Sequence, residues 1–120
     1  MKPEERKYEF YLEDIIVSIE RIHEYIGDLE FIQFSQTNIV VDAVVRNFEI
    51  VGEASKHIPN EIKDKYPEIP WEKMYSLRNM VTQEYFGIDY EMIWEIAKID
   101  LPQNLLDIKN IIEIERKDRH

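Results

Sequence analysis

The sequence predicts an all-α protein, an up-and-down bundle of about four or five helices, on three observations. Apolar residues recur at spacings of three and four over several long stretches, which is the stripe of an amphipathic helix. Gly and Pro fall at the edges of those stretches, where they stop or start helices. No segment alternates apolar and polar residues as a half-buried strand would.

Each element follows from its own signals. Tyr8, Leu12, Ile15, Ile19, Ile22 and Ile26 place a first helix over about Glu4 to Ile26, with Gly27 as its stop. Phe31–Gln36 reads as a connector, after which Ser35 or Thr37 can cap a second helix running to about His57. That helix is ended by Pro59. A helical turn around Asn60 to Lys65 precedes the break at Pro67 and Pro70, and Pro70 suits the first turn of a third helix over about Trp71 to Phe86, with Gly87 behind it. Asp89 caps a helix over about Tyr90 to Ile99, and Pro102 opens a last one to about Arg116. The 120 residues are expected to form one domain, 44% hydrophobic, with a frayed tail at about 115–120.

Composition narrows the function classes. No cysteine is present, so disulfides and thiolate metal sites are excluded, in keeping with a cytoplasmic location. No segment reaches the roughly 20 apolar residues that span a bilayer, so no membrane contact is expected. A net charge of −10 argues against a broad phosphate-binding surface, because nucleic-acid affinity comes largely from Lys and Arg. Any RNA contact must be local. With three glycines there is no phosphate-cradling loop, no His/Asp/Glu set has the spacing of a metal site, and no serine-nucleophile pattern appears; no cofactor and no metal are expected.

The second helix carries two patterns. Val41, Val44, Phe48 and Val51 form an apolar stripe that Val40, Ala43, Ile50 and Ala54 widen, as for the centre of a bundle or a surface shared with a second subunit. Asp42, Arg46, Glu49 and Glu53 form a separate charged stripe, readable as a solvated face with weak internal ion pairs. For Glu49 and Glu53 there is a second reading, because Gly52 lets another backbone come close and a carboxylate there could hold an arginine. Arg78 is the candidate. On a regular helix it lies about 40° from Met74 and about 60° from Val81, on the core-facing side, where a guanidinium needs a partner. It is either a snorkelling arginine paired with a second-helix glutamate, or a charge that holds a phosphate and stabilises the negative charge of a cleavage reaction.

The block Ala43-Val-Val-Arg-Asn-Phe-Glu-Ile-Val-Gly-Glu-Ala-Ser55 and the stretch Ser76-Leu-Arg-Asn-Met-Val-Thr-Gln-Glu-Tyr-Phe-Gly-Ile-Asp-Tyr-Glu-Met-Ile-Trp94 together resemble the HEPN superfamily, and within it the HepT-type toxins encoded beside a nucleotidyltransferase antitoxin. The likeness runs over about residues 8 to 114. It implies a metal-independent ribonuclease whose cleft lies along a two-fold homodimer interface, with RNA as substrate. It also implies a partner nucleotidyltransferase that attaches AMP to the motif tyrosine, whose position Tyr85 occupies. Added phosphate beside Arg78 would exclude RNA by charge and bulk. From the residues alone, Tyr85 reads equally as a core-edge tyrosine with its hydroxyl at water.

One departure bears on activity. The family frame is Arg-x4-His-x-Tyr, and here Arg78 and Tyr85 enclose Gln83 where the histidine stands. RNA cleavage without metal needs one group to take the 2′-hydroxyl proton and another to protonate the leaving oxygen, and histidine suits both because it titrates near neutrality. Gln83 can hydrogen-bond a phosphate, as can Asn79, but it carries no titratable proton. Strongly impaired cleavage is therefore expected, and an alternative is a silent HEPN module that binds nucleotide or the nucleotidyltransferase without catalysis. A plain helical dimerisation domain is the third reading. His23, His57 and His120 read as structural or solvent-facing, and Trp71, Tyr75, Phe86 and Trp94 as packing. On a regular helix Gln83 points about 140° away from Arg78, so either the helix is distorted before Gly87 or a second subunit completes the site.

Overall fold

The computed structural model describes residues 3–79, 87 and 89–118, with side chains from Lys7 onward. Helix α1 (Pro3–Ile26) buries Tyr8, Leu12, Ile15, Ile19, Ile22 and Ile26, the stripe read from the sequence. It stops at Gly27, whose φ of 50° is the left-handed conformation that glycine adopts without a Cβ penalty. Two long helices run antiparallel to α1. On one side lies α3 (Asn38–Lys56), with His57 at its C-terminal end stacked on Tyr11 near the start of α1. On the other lies α7 (Leu101–Asp118), where Arg116 bridges Glu9 and Glu13 and Lys109 meets Glu20 at 3.3 Å. Among the described residues all regular structure is helical, and no helix is long and apolar enough to cross a membrane.

Helix α3 has the wide apolar face its sequence implied. Val41, Val44, Phe48, Val51 and Ala54 are buried, while Val40, Ala43 and Ile50 sit half-buried at the edges of the stripe. The short helices α4 (Asn60–Lys65) and α5 (Trp71–Ser76) follow. Helix α5 packs on α3 and begins after Pro70, the residue that flanks its first turn. Helix α6 (Tyr90–Glu95) is capped as expected, the Asp89 carboxylate accepting from the Met92 N–H at 3.0 Å.

Three sequence expectations are corrected. The segment read as a connector is a helix, α2 (Phe31–Gln36): the Glu30 N–H donates to the Gln33 side chain at 2.9 Å, and Phe34 is buried beside Trp94. A six-residue helix shows too little periodicity to be seen in sequence. The third helix, expected over Trp71 to Phe86, leaves α geometry at Ser76 and tightens into a 3₁₀ turn at Leu77–Asn79; the remainder of that span lies outside the described residues. Finally, no break separates α6 from α7. They join through a π-helical turn (Ile96–Asp100) in which the Leu101 N–H donates to the Ile96 carbonyl, five residues back. Pro102 explains the turn, since it has no N–H to give and its ring crowds the carbonyl four residues before it. One widened turn lets the helix pass the proline.

The open ends of α1, α4 and α7 are tied at one carboxylate. Glu115 accepts hydrogen bonds from the Tyr8 hydroxyl at 3.3 Å and from the Tyr66 hydroxyl, and it pairs with the Lys65 ammonium at 2.8 Å. Burial alone would push the Glu115 carboxyl up, but the hydrogen bonds from Lys65 and Tyr66, the Lys65 charge and the Tyr8 hydrogen bond outweigh it and hold the group below its ordinary value. Burial and the hydrogen bond to Glu115 in turn push the Tyr66 phenol up to about 12. A carboxyl depressed in the folded state contributes stability above its ordinary value of 4.5, and that contribution is lost as pH falls through the depressed one. Replacing Glu115→Gln should cost about 1–3 kcal/mol at pH 7, the range for losing charge-assisted hydrogen bonds. Urea denaturation at pH 7 and again below pH 4 should show the gap between the two proteins narrowing with acid; an equal gap at both would assign the loss to packing alone.

Candidate functional site

The charged face of α3 is the floor of the candidate site. Asp42 and Arg46 are exposed on it, and Arg46 pairs with Glu49 at 3.0 Å. Glu53, one turn further on, is left to meet the next element, and α5 meets it because of Gly52. The helical backbone of α3 at Gly52 lies so close to α5 that a Cβ there would stand 2.6 Å from the Arg78 nitrogen and 2.8 Å from the Tyr75 carbonyl oxygen. Only a residue without a side chain allows that approach.

The contact fixes Arg78 against α3. Its guanidinium pairs with the Glu53 carboxylate at 2.9 Å and donates to the Tyr75 hydroxyl at 3.1 Å, lying 5.5 Å from the centre of the Tyr75 ring. Glu53, not Glu49, is the partner. The expected core-facing guanidinium is corrected in one respect: its side chain is 33% exposed and that of Glu53 is 43% exposed, because the 3₁₀ turn at Leu77–Asn79 rotates it away from the direction a straight helix would give. The pair is therefore worth about 1 kcal/mol or less to stability. Exposure has a chemical consequence, since a guanidinium presents five N–H donors and this one is held through one terminal nitrogen on each side. The remaining donors suit a planar phosphate or carboxylate contact.

The sequence missed Tyr75, which it read as packing. Its position three residues before Arg78 is the helical neighbour spacing, so the signal was available. Toward α1 the site continues into a cavity of about 250 Å³ lined by Tyr11, Asp14, Arg46, Glu49 and Glu53 among others, which is acidic and unsuited to phosphate. Asn79 adjoins Arg78 and is exposed. Gln83 and Tyr85 lie outside the described residues, as do Phe86 and His120. Of the other histidines, His57 stacks on Tyr11 at 4.7 Å, and the buried Nε2 of His23 has no hydrogen-bond partner. Among the described residues no group of three or more His, Asp or Glu side chains could hold a metal ion.

Comparison with known proteins places the chain in a family. The model of the HepT-like ribonuclease family ("Ribonuclease HepT-like") matches residues 15–112. The chain belongs to the HepT-like ribonuclease family. It is 38% identical over 109 residues, 91% of this chain and 96% of the other, to the "Putative RNase MJ1380" of Methanocaldococcus jannaschii. It is 42% identical over 97 residues, 81% of this chain and 88% of the other, to the "Probable ribonuclease HepT" of Thermococcus cleftensis. No solved structure matches it significantly. As in HEPN-type folds generally, the chain is an all-α bundle.

The Gly52 contact makes a sharp prediction for this HepT-like chain. A Gly52→Ala methyl would meet backbone atoms of α5, which cannot rotate away as a side-chain tip could. Overpacking of this kind typically costs about 1–3 kcal/mol. Denaturant unfolding should show at least that loss, together with weaker binding of any ligand that depends on Arg78. Wild-type stability in Gly52→Ala would mean that α3 and α5 do not touch there.

Proposed function

We propose that this chain is a ribonuclease toxin of the HepT type, paired with a nucleotidyltransferase antitoxin in the cytoplasm, and that its cleavage is impaired. The reading treats residues 1–120 as one domain acting as a two-fold homodimer, with the Arg78 residues of two subunits lining one RNA-binding cleft. The observation that carries it is the partly exposed guanidinium of Arg78, braced by Glu53 and Tyr75, in a sequence where Gln83 replaces the motif histidine.

In the reaction the ribose 2′-oxygen attacks the adjacent phosphorus and gives up its proton, the bond from phosphorus to the 5′-oxygen breaks, and the departing oxygen gains a proton. Arg78 would neutralise the charge that gathers on the phosphoryl oxygens, with Asn79 as a further donor to the phosphate. Glu53 acts as a positioning residue through Arg78, and Glu49 supports the charged face by pairing with Arg46. Neither proton transfer is available to Gln83. Neutralisation would follow when the Tyr85 hydroxyl oxygen attacks the α-phosphorus of ATP and loses its proton, pyrophosphate leaves, and AMP remains on the tyrosine as added negative charge.

The test is a Gln83→His protein. General acid–base participation is worth about 10²- to 10⁴-fold, so cleavage of a single-stranded RNA should rise by about 10²-fold or more, with an optimum near neutrality. Strong cleavage by the Gln83 form would refute the impairment. No gain in Gln83→His would leave the silent binding module as the better reading. Light scattering at micromolar concentration should give a dimer, and a monomer would remove the shared cleft. Incubation with the cognate nucleotidyltransferase and ATP should add AMP to the peptide containing Tyr85, and a Tyr85→Phe protein should take up none.

A further inference from the structure

Tyr75 also lines another cavity, of about 260 Å³, together with Lys56, Lys63, Trp71 and Glu72. Its two lysines come from different elements, the last turn of α3 and the last turn of α4. Among the described residues neither lysine forms an ion pair, although Lys65, two residues from Lys63, is engaged with Glu115 and Asp118. In a chain of net charge −10, two lysines lining one aromatic-walled cavity, with no ion pair among the described residues, form a local attractor for anions. Trp71 is buried and fixed, its indole N–H donating to the Tyr66 carbonyl at 3.0 Å, so it makes a rigid floor. Tyr75 is half-buried and forms the wall shared with the Arg78 site, since its hydroxyl accepts from the Arg78 guanidinium. Glu72, exposed at the rim, is the carboxylate among the lining residues; it can accept hydrogen bonds from ribose hydroxyls or base amino groups.

We infer that this cavity is a flanking subsite for single-stranded RNA. Lys56 and Lys63 take a backbone phosphate next to the one held at Arg78, and the ring of Tyr75 is the platform on which the intervening base rests. The inference rests on the ribonuclease reading of Arg78 and extends it from one phosphate to a short track. Charge and aromatic surface alternate along that track, from Arg78 to Tyr75 to the lysine pair, which is the pattern that binds single strands with little sequence preference: basic groups follow the backbone while rings stack the bases. The track is short and local, as the acidity of the whole chain requires.

The test measures binding of fluorescein-labelled oligouridylate to the full chain across a salt series, with a dinucleotide, an octanucleotide and ATP as probes. The variants are Lys56→Gln/Lys63→Gln, Lys63→Gln alone, Tyr75→Phe, Tyr75→Ala and Arg78→Ala. Each phosphate contact to a single strand adds about 0.7 to the slope of log affinity against log salt. The double glutamine variant should therefore bind the octanucleotide about tenfold or more weaker at low salt with a slope shallower by about 0.7, the value for the one phosphate the two lysines share, and the single variant should fall between. Both should bind the dinucleotide and ATP as the unaltered chain does. Tyr75→Phe should keep octanucleotide binding far better than Tyr75→Ala. An unchanged octanucleotide affinity and salt slope in the double variant, with binding lost in Arg78→Ala, would overturn the subsite and leave the ribonuclease reading standing. Unchanged RNA binding in Arg78→Ala would overturn that reading itself. Equal losses for ATP and octanucleotide in the double variant would make the pocket a mononucleotide site and overturn the RNA track.

Discussion

The arrangement of this chain depends on the absence of a side chain at Gly52. Without a Cβ there, the backbone of α5 and the 3₁₀ turn that follows settle directly on α3, within what would otherwise be a prohibitive distance. That contact brings Arg78 over Glu53 and sets Tyr75 beside both. The ion pair is a consequence of the approach rather than its cause, because a pair this exposed contributes too little to hold two helices together. Packing brings the charges to the site, and the charges then fix the direction of one guanidinium.

Around that contact the bundle is arranged to be rigid at its ends. α1 lies between α3 and α7 and supplies the isoleucine ladder that both pack against. At the end where α1 begins and α7 closes, Tyr8, Tyr66 and Lys65 converge on Glu115, and Arg116 reaches back to Glu9 and Glu13. Near the opposite end of α1, Phe31 and Phe34 close on Trp94. The face left open is the charged one on α3, bordered by Tyr11 and Asp14 on one flank and by Tyr75 and Arg78 on the other. One flank of that face is acidic, with Asp14, Glu49 and Glu53 lining its cavity, and the other carries the Arg78 guanidinium.

The long helices were legible because burial enforces periodicity over many turns. Every apolar position named on α1 is buried, and the α3 stripe is buried where its centre was placed. Short elements were not legible: α2 has one buried residue, Phe34, and one residue carries no period. The join of α6 to α7 was misplaced because a proline usually marks a boundary, whereas here a single π-helical turn absorbs it. At the site, Gly52 was readable as a place of close approach and Glu53 as a carboxylate that could hold Arg78, but the choice between Glu49 and Glu53 depended on the tertiary contact. The exposure of Arg78 was misjudged because a helical wheel assumes α geometry through Asn79, and the chain tightens three residues earlier. Tyr75, Lys56 and Lys63 were passed over because packing aromatics and surface lysines look alike in sequence until a cavity brings them together.

The claim at the centre of this account is that RNA lies across α5 with its backbone at Arg78. Photocrosslinking of an oligoribonucleotide carrying 4-thiouridine, followed by mass spectrometry of the adducts, reads that placement directly. The account predicts adducts concentrated between Lys73 and Arg78, at Tyr75 above all, and their suppression by excess unlabelled RNA. Adducts confined to the α1–α7 face, with none on α5, would contradict it.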